Sequence, residues 1–457
     1  MNLLKKILSY GAVEGIAKLL NKLTLFLIPL ILIDSKALLG KIGLIISIET
    51  LIPLLTLIGF DRIILRFYNE KEKYYGFLKT IFSSVFISHF IIFLVLIICY
   101  LFSIKSFFEI DIFPDFLLIS LLVFFQSYFT IILNILRVDQ SHKLYFSSRL
   151  LFQFTKVLNV IFFTYYLKSH LGYLYGSIIA IVLIFIFLIF KKDKINLNLK
   201  TNFDNKTFKK FINFSWPFIF HGIAVNLVGN ADKFVIKGFL SFEDLGLYTF
   251  IYSIGTSISL AFSAVTIYME PLIYKESDKE KREQLLSQFN FYSIIIAILF
   301  LFIIGFISNN ILNTTSLFKK EYGNVLIFIP TISSAYIVFP YYLKANYRLI
   351  YNKSSKTIAS MSIISAVLNI IMNILFIPIY GIYASIIITI ISFIFQATVF
   401  ILISNKFKWK KEYVNLIFIS IILVVSSLFK FHYLMTCILL LVPAVNIYLS
   451  EIKQKNI

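Results

Sequence analysis

Apolar stretches of about 20 residues recur along this chain from end to end, each closed by a short polar or basic segment. A helix needs about that length to cross the hydrocarbon core of a bilayer. The runs are continuous rather than alternating, so they read as helices and not as barrel strands. A helix also satisfies its own backbone hydrogen bonds in lipid. The pattern predicts fourteen spans, at about 7–33, 42–60, 76–102, 116–134, 144–166, 172–190, 211–236, 245–270, 288–311, 323–343, 358–376, 382–403, 413–429 and 432–450.

The pattern also repeats. His221-Gly222-Ile223-Ala224 answers Glu14-Gly15-Ile16-Ala17. Leu245-Gly246, followed by Ile251, Ser253, Ile254 and Thr256, answers Leu39-Gly40, followed by Ile45, Ser47, Ile48 and Thr50. Val157-Leu158-Asn159 returns as Val367-Leu368-Asn369, and Tyr175-Gly176-Ser177-Ile178-Ile179 as Tyr383-Ala384-Ser385-Ile386-Ile387. The four matches keep their order and lie 206 to 210 residues apart. The expected organisation is a first lobe of six spans (1–190), a cytoplasmic linker (191–210), a second lobe of six spans (211–405), and two further spans with a tail (406–457). Six spans per copy is an even number, so the copies share one orientation and are related by an axis along the membrane normal.

Composition and charge narrow the class. The chain is 59% hydrophobic and 14% charged, where a soluble domain is charged at about a quarter of its positions. A net charge of +20 would suit nucleic acid if it were gathered on one surface, but here it is spread from loop to loop. Of the 43 Lys and Arg, 29 fall on the side of the termini and 8 in the opposite loops. Both termini are therefore expected in the cytoplasm, in a multi-pass protein of the cytoplasmic membrane. Cys99 and Cys437 sit inside apolar spans and read as small hydrophobes rather than a disulfide. The first run is too long for a signal peptide and carries Glu14, Lys18 and Lys22, so it reads as an uncleaved span. No P-loop, HExxH, GxSxG or zinc-type spacing occurs, and neither a cofactor nor a metal is expected.

Ionisable groups inside spans carry the functional information, because each is costly unless it faces a partner or water. In the first span Gly11, Glu14, Lys18, Asn21 and Lys22 share one stripe of the helix. Glu14 and Lys18, at i and i+4, form a structural pair or line a cavity. Lys22 has no acidic partner on that arc, which favours the cavity. In the fifth span Arg149, Gln153 and Lys156 share a face. Arg149 either snorkels to the interface or joins that face, whereas Lys156 is too deep to snorkel. With Glu49 of the second span, these groups suggest a basic pocket open to the cytoplasm, suited to a phosphate. In the second copy His221 is a group that titrates or is simply hydrogen-bonded. Asp232 and Lys233 are a functional site or a structural pair. Pro217 and Pro271 mark expected bends, and the tyrosines and phenylalanines are assigned no chemistry.

Several local patterns now resemble a known family. They are Leu39-Gly40 with Gly59-Phe60 and Arg66, Ser215-Trp216-Pro217, Asn230-Ala231-Asp232-Lys233, Gly246-Leu247-Tyr248, and Asn369 with Ile377-Pro378-Ile379-Tyr380-Gly381. Together with the 6+6+2 plan, the chain resembles the polysaccharide-transporter branch of the multidrug/oligosaccharidyl-lipid/polysaccharide (MOP) exporter superfamily. It is most similar to Wzx-type flippases of O-antigen or capsule repeat units. The resemblance implies an all-α polytopic fold of about fourteen transmembrane helices, with two MATE-like six-helix lobes facing each other in a V and two extra C-terminal helices. It implies a flippase, not an enzyme, that moves undecaprenyl-diphosphate-linked oligosaccharide to the outer leaflet of the bacterial inner membrane by ion-coupled alternating access. Polysaccharide polymerase and chain-length regulator are the partners implied. On this reading Lys18, Lys22, Arg149, Gln153 and Lys156 bind the diphosphate, and Glu14, Glu49, His221 and Asp232 are candidates for ion coupling. Lipid-linked peptidoglycan-precursor flippases and MATE-type drug antiporters are the alternatives. The second is the weaker, because a cation exporter needs an acidic cavity.

Overall fold

The computed structural model describes residues 3–32, 35–102, 104–195, 202–352, 354–406, 411–428 and 433–447. Residues 196–201 of the expected linker and 448–457 of the expected tail lie outside the described residues. In chain order the helices are α1 (Leu3–Ile31), α2 (Lys36–Thr56), α3 (Phe60–Phe67), α4 (Phe77–Leu101), α5 (Leu117–Val138) and α6 (His142–Leu167). Then come α7 (Leu171–Ile189), α8 (Asn205–Phe239), α9 (Phe242–Gly255), α10 (Ser259–Lys275), α11 (Lys279–Phe306) and α12 (Ser316–Leu326). The chain continues with α13 (Phe328–Ala335), α14 (Phe339–Tyr351), α15 (Ser355–Tyr380), α16 (Ile382–Ser404), α17 (Lys411–Leu428) and α18 (Tyr433–Ile447). A two-residue antiparallel hairpin, β1 (Ser106–Phe107) with β2 (Ile110–Asp111), sits before α5 and sets Ser106 opposite Asp111.

The protein is an all-α polytopic membrane protein. Among the described residues, nine helices are long and apolar enough to span a bilayer. A tenth is formed if Lys320–Leu326 and Phe328–Tyr351, bent by 45°, count as one span. Two shorter apolar helices, Tyr413–Ser427 and Tyr433–Asn446, follow. The other two expected spans are helical but less regular. α1 carries Glu14, Lys18 and Lys22 along its length, and α9 and α10 are separated by a 3-10 turn at Thr256–Ile258. That break falls beside Gly255, whose missing Cβ would lie 2.7 Å from Ile332 Cγ2. α8 runs on as helix through Pro217, and the break in the eighth span precedes Pro271.

The chain divides into two compact units. Residues Leu27–Asn226 form one, here unit 2, and the rest of the described chain forms unit 1. The division by contact cuts α1 after Phe26 and α8 after Asn226, whereas the division expected from the sequence falls at residues 191–210.

Unit 2 has its core where α3, α4, α5 and the start of α8 meet, with Phe60, Ile63, Phe77, Ile81, Ile135 and Phe211 buried. Its α6 and α7 approach so closely that a Cβ on Gly172 would stand 2.4 Å from Thr164 Cα, and one on Gly176 2.5 Å from Val160 N. Small residues four apart are what lets helix backbones touch in lipid, where packing rather than the hydrophobic effect drives association. Tyr173 lies between those glycines and is carried against α6 by them. In unit 1, α10, α11 and α14 pack through Met269, Ile273, Leu286, Phe289 and Tyr347. There α15 and α16 are joined by amides and hydroxyls: Asn369 Nδ2 donates to Ser392 Oγ at 3.0 Å, and Ser385 Oγ donates to Asn373 Oδ1 at 3.1 Å.

Candidate functional site

Unit 2 holds a buried charged cluster at the meeting of α2, α5, α6 and α7. Glu49 and Lys156 are only 7% and 5% exposed. Lys156 Nζ lies 3.3 Å from Glu49 Oε1. It also donates to the Tyr173 hydroxyl at 3.0 Å. Tyr173 in turn donates to Glu49 Oε2 at 2.6 Å, and Gln126 Nε2 donates to Glu49 Oε1 at 2.6 Å. Both carboxylate oxygens of Glu49 accept hydrogen bonds, and Lys156 has two acceptors; such pairing is what lets two opposite charges stand inside a membrane protein. The acidic partner that Lys156 lacks on its own helix comes from α2.

The neighbours of Lys156 on α6 differ in burial. Gln153 is buried, and its Oε1 has no hydrogen-bond partner among the described residues. Arg149 is half-buried. Along α6 burial rises from half-buried at Arg149 to buried at Gln153 and Lys156. His221, near the middle of α8, is half-buried in unit 2.

Unit 1 holds the other expected residues. Glu14 is half-buried and Lys18 exposed. Lys22 Nζ finds neutral acceptors: it donates to the Ser253 carbonyl at 3.1 Å and to the Thr256 hydroxyl. The 3-10 turn after α9 brings that carbonyl and hydroxyl together. Asp232 and Lys233, adjacent in sequence, turn to different partners. The Asp232 carboxylate accepts from the Tyr248 hydroxyl and from the backbone N–H of Lys233, the latter at 2.7 Å. Lys233 Nζ donates to Asn230 Oδ1 at 2.7 Å and stands 5.0 Å from the Tyr252 ring centroid.

Two groups of residues escape the sequence reading. Tyr173, Tyr248 and Tyr252 do have polar work, because their hydroxyls bond Glu49, Asp232 and the Gly229 carbonyl. Lys344 and Arg348, expected in a cytoplasmic loop, lie within α14 and are buried. Arg348 Nε donates to both oxygens of Glu283, at 2.9 and 3.1 Å, and Nη1 to Asn405 Oδ1 at 3.2 Å. Lys344 Nζ donates to Ser287 Oγ at 3.2 Å. Their spacing of four on one helix is a signal, but their place at the end of an apolar run disguises it as interface charge.

Comparison with known proteins puts this geometry in a family. The family model for polysaccharide biosynthesis proteins matches residues 3–273. No curated protein is a match. Among solved structures, the lipid II flippase MurJ in an inward closed conformation is similar with a TM-score of 0.66 at 16% identity, over 96% of this chain and 97% of that one. An inward-facing multidrug resistance MATE family transporter of the MOP superfamily has a TM-score of 0.66 at 14% identity, over 86% and 94%. An outward-facing one has 0.58 at 16% identity, over 88% and 94%. At such identities the likeness is one of fold. The chain belongs to the polysaccharide biosynthesis protein family, built on the fold of MOP-superfamily transporters.

Proposed function

We propose that this protein is a flippase that turns undecaprenyl-diphosphate-linked oligosaccharide repeat units from the cytoplasmic to the outer leaflet of the bacterial inner membrane, for O-antigen or capsule synthesis. The observation that carries the reading is Lys156, a lysine buried within a membrane helix and held by one carboxylate. A buried ion pair adds little net stability, since desolvation offsets most of its attraction. Its value here is as an exchange site. The diphosphate of the substrate replaces Glu49 as the counter-ion of Lys156, with Gln153 and Arg149 on the same face of α6 completing the anion contacts. Glu49, released from its cation, takes up the coupling ion. Lys18 and Lys22 supply the cations of unit 1, and Glu14, His221 and Asp232 are further coupling candidates.

The repeat of six spans supplies two lobes that alternate access, and the count of Lys and Arg sets both termini in the cytoplasm. Polymerase and chain-length regulator act on the delivered repeat unit. The test is deletion of the gene followed by analysis of lipid-linked intermediates. Repeat units linked to undecaprenyl diphosphate should accumulate unextended, with surface polysaccharide lost. Accumulation of lipid-linked peptidoglycan precursor instead, or raised sensitivity to cationic drugs alone, contradicts the proposal and favours a rival.

A further inference from the structure

The structure assigns a second binding site, for short neutral glycans, within unit 1. A cavity of about 350 Å³ lies between the end of α11 and helices α13, α17 and α18, within the size range of small-molecule sites. No Lys, Arg, Asp or Glu lines it, so an anionic headgroup or a cation is not what it is built to hold.

The polar groups present are those that read hydroxyls. Asn309, Asn310 and Asn313, from the turn that ends α11, offer carboxamides, each with two donor hydrogens and an acceptor. Ser334 and Ser426 give their protons to their own helices, to the Thr331 carbonyl at 2.7 Å and the Leu423 carbonyl at 3.1 Å. What they leave for the cavity is acceptor lone pairs. Amide donors together with hydroxyl acceptors match a sugar, whose hydroxyls donate and accept at once. The rings of Phe328 and Tyr433 add apolar faces for the C–H side of a pyranose. Tyr433 is fixed in place, since its ring packs where a Cβ on Gly305 would stand, 2.4 Å from Cδ2.

The cavity lies far from Arg348, the buried cation that pairs with Glu283. Glu283 stands near the start of α11 and Leu301, which lines the cavity, near its end; at 1.5 Å per residue that is roughly 27 Å along the helix. In the orientation taken from the charge count this is the outer end, where a sugar delivered by the proposed flippase would be met. That last point rests on the proposed function; the affinity for glycans does not.

The experiment is saturation-transfer NMR on the full chain in lipid nanodiscs, with N,N′-diacetylchitobiose and lactose as probes at millimolar concentration. Neither probe carries lipid or phosphate, so the outcome is separate from flipping. We expect transfer to the pyranose protons of at least one probe, falling by about threefold or more in Asn310→Leu and Asn313→Leu. Both positions are exposed, so the variants keep the fold. No transfer from either probe, or equal transfer in the variants, overturns the assignment. Absence of transfer to the unaltered protein, with repeat units still accumulating on deletion of the gene, would discard this site and leave the flippase standing.

Discussion

The phenol of Tyr173 donates to the Glu49 carboxylate at 2.6 Å, and the same oxygen accepts from Lys156 at 3.0 Å. Tyr173 thus holds both members of a buried ion pair from a third helix. Tyr173→Phe keeps the ring and removes only this bridge, leaving Glu49 Oε2 without its donor. A buried acceptor left unsatisfied costs about 1–3 kcal/mol. We expect a lower melting temperature for the purified protein in detergent, with membrane insertion unchanged. An unaltered melt would show that Tyr173 does not support the pair.

The seam between α6 and α7 gives a prediction about assembly. Gly176→Val places a branched side chain where a single Cβ already falls 2.5 Å from Val160 N. Backbone cannot step aside as a side chain can, so the helices must separate and Tyr173 must leave Lys156. Much less protein should accumulate in the membrane, as measured by immunoblot of membrane fractions. Gly15→Ala serves as the control, since a Cβ there meets nothing within 4 Å.

At the start of α8, Asp204 accepts from the Thr207 N–H at 2.9 Å and from the Thr207 hydroxyl at 2.6 Å. The Thr207 hydroxyl, then its N–H, hold the Asp204 carboxyl below its usual range. A carboxyl with a depressed folded pKa contributes stability above its unfolded pKa, about 3.9, and loses it as pH falls through the folded value. Asp204→Ala should therefore melt below the parent at neutral pH, and the gap should close below about pH 3.9. A gap that is constant with pH would assign the effect to something other than the carboxylate.

Topology is open to direct chemical test. In a chain with Cys99 and Cys437 replaced by alanine, a cysteine at Asn205 should react only with reagents that enter the cytoplasm. One at Asn313 should react with an impermeant reagent in intact cells. Both positions are exposed in the structure. The reverse pattern would invert the orientation.

Spans and fold class are legible in the sequence because lipid imposes a length and a polarity on every crossing helix, and among the described residues each expected span falls on helix. The groups that answer the buried charges are not. Glu49 and Lys156 are 107 residues apart, and no periodicity within one helix reports a partner on another. Gln126 is visible as a polar residue in an apolar run, but nothing there says which way it faces. Tyr173 is one of 27 tyrosines, and only the close approach of Gly172 and Gly176 to α6 singles it out. Lys22 shows the same limit, since its acceptors are a backbone carbonyl and a hydroxyl on a turn that exists only after folding.

Substitutions of Lys156 separate exchange of Glu49 for a diphosphate from a purely structural lysine. Lys156→Ala removes a charge-assisted contact of about 1.5–3 kcal/mol, a loss of roughly ten- to a hundred-fold in affinity. Lys156→Arg keeps the charge and changes its shape, so part of the activity should remain. Lys156→Glu adds repulsion for phosphate and for Glu49. The measurement is surface polysaccharide restored to a flippase-deficient strain, normalised to the amount of each variant in the membrane. We predict the order wild type, Arg, Ala, Glu. Equal rescue by Ala, Arg and Glu at matched protein levels would contradict the exchange.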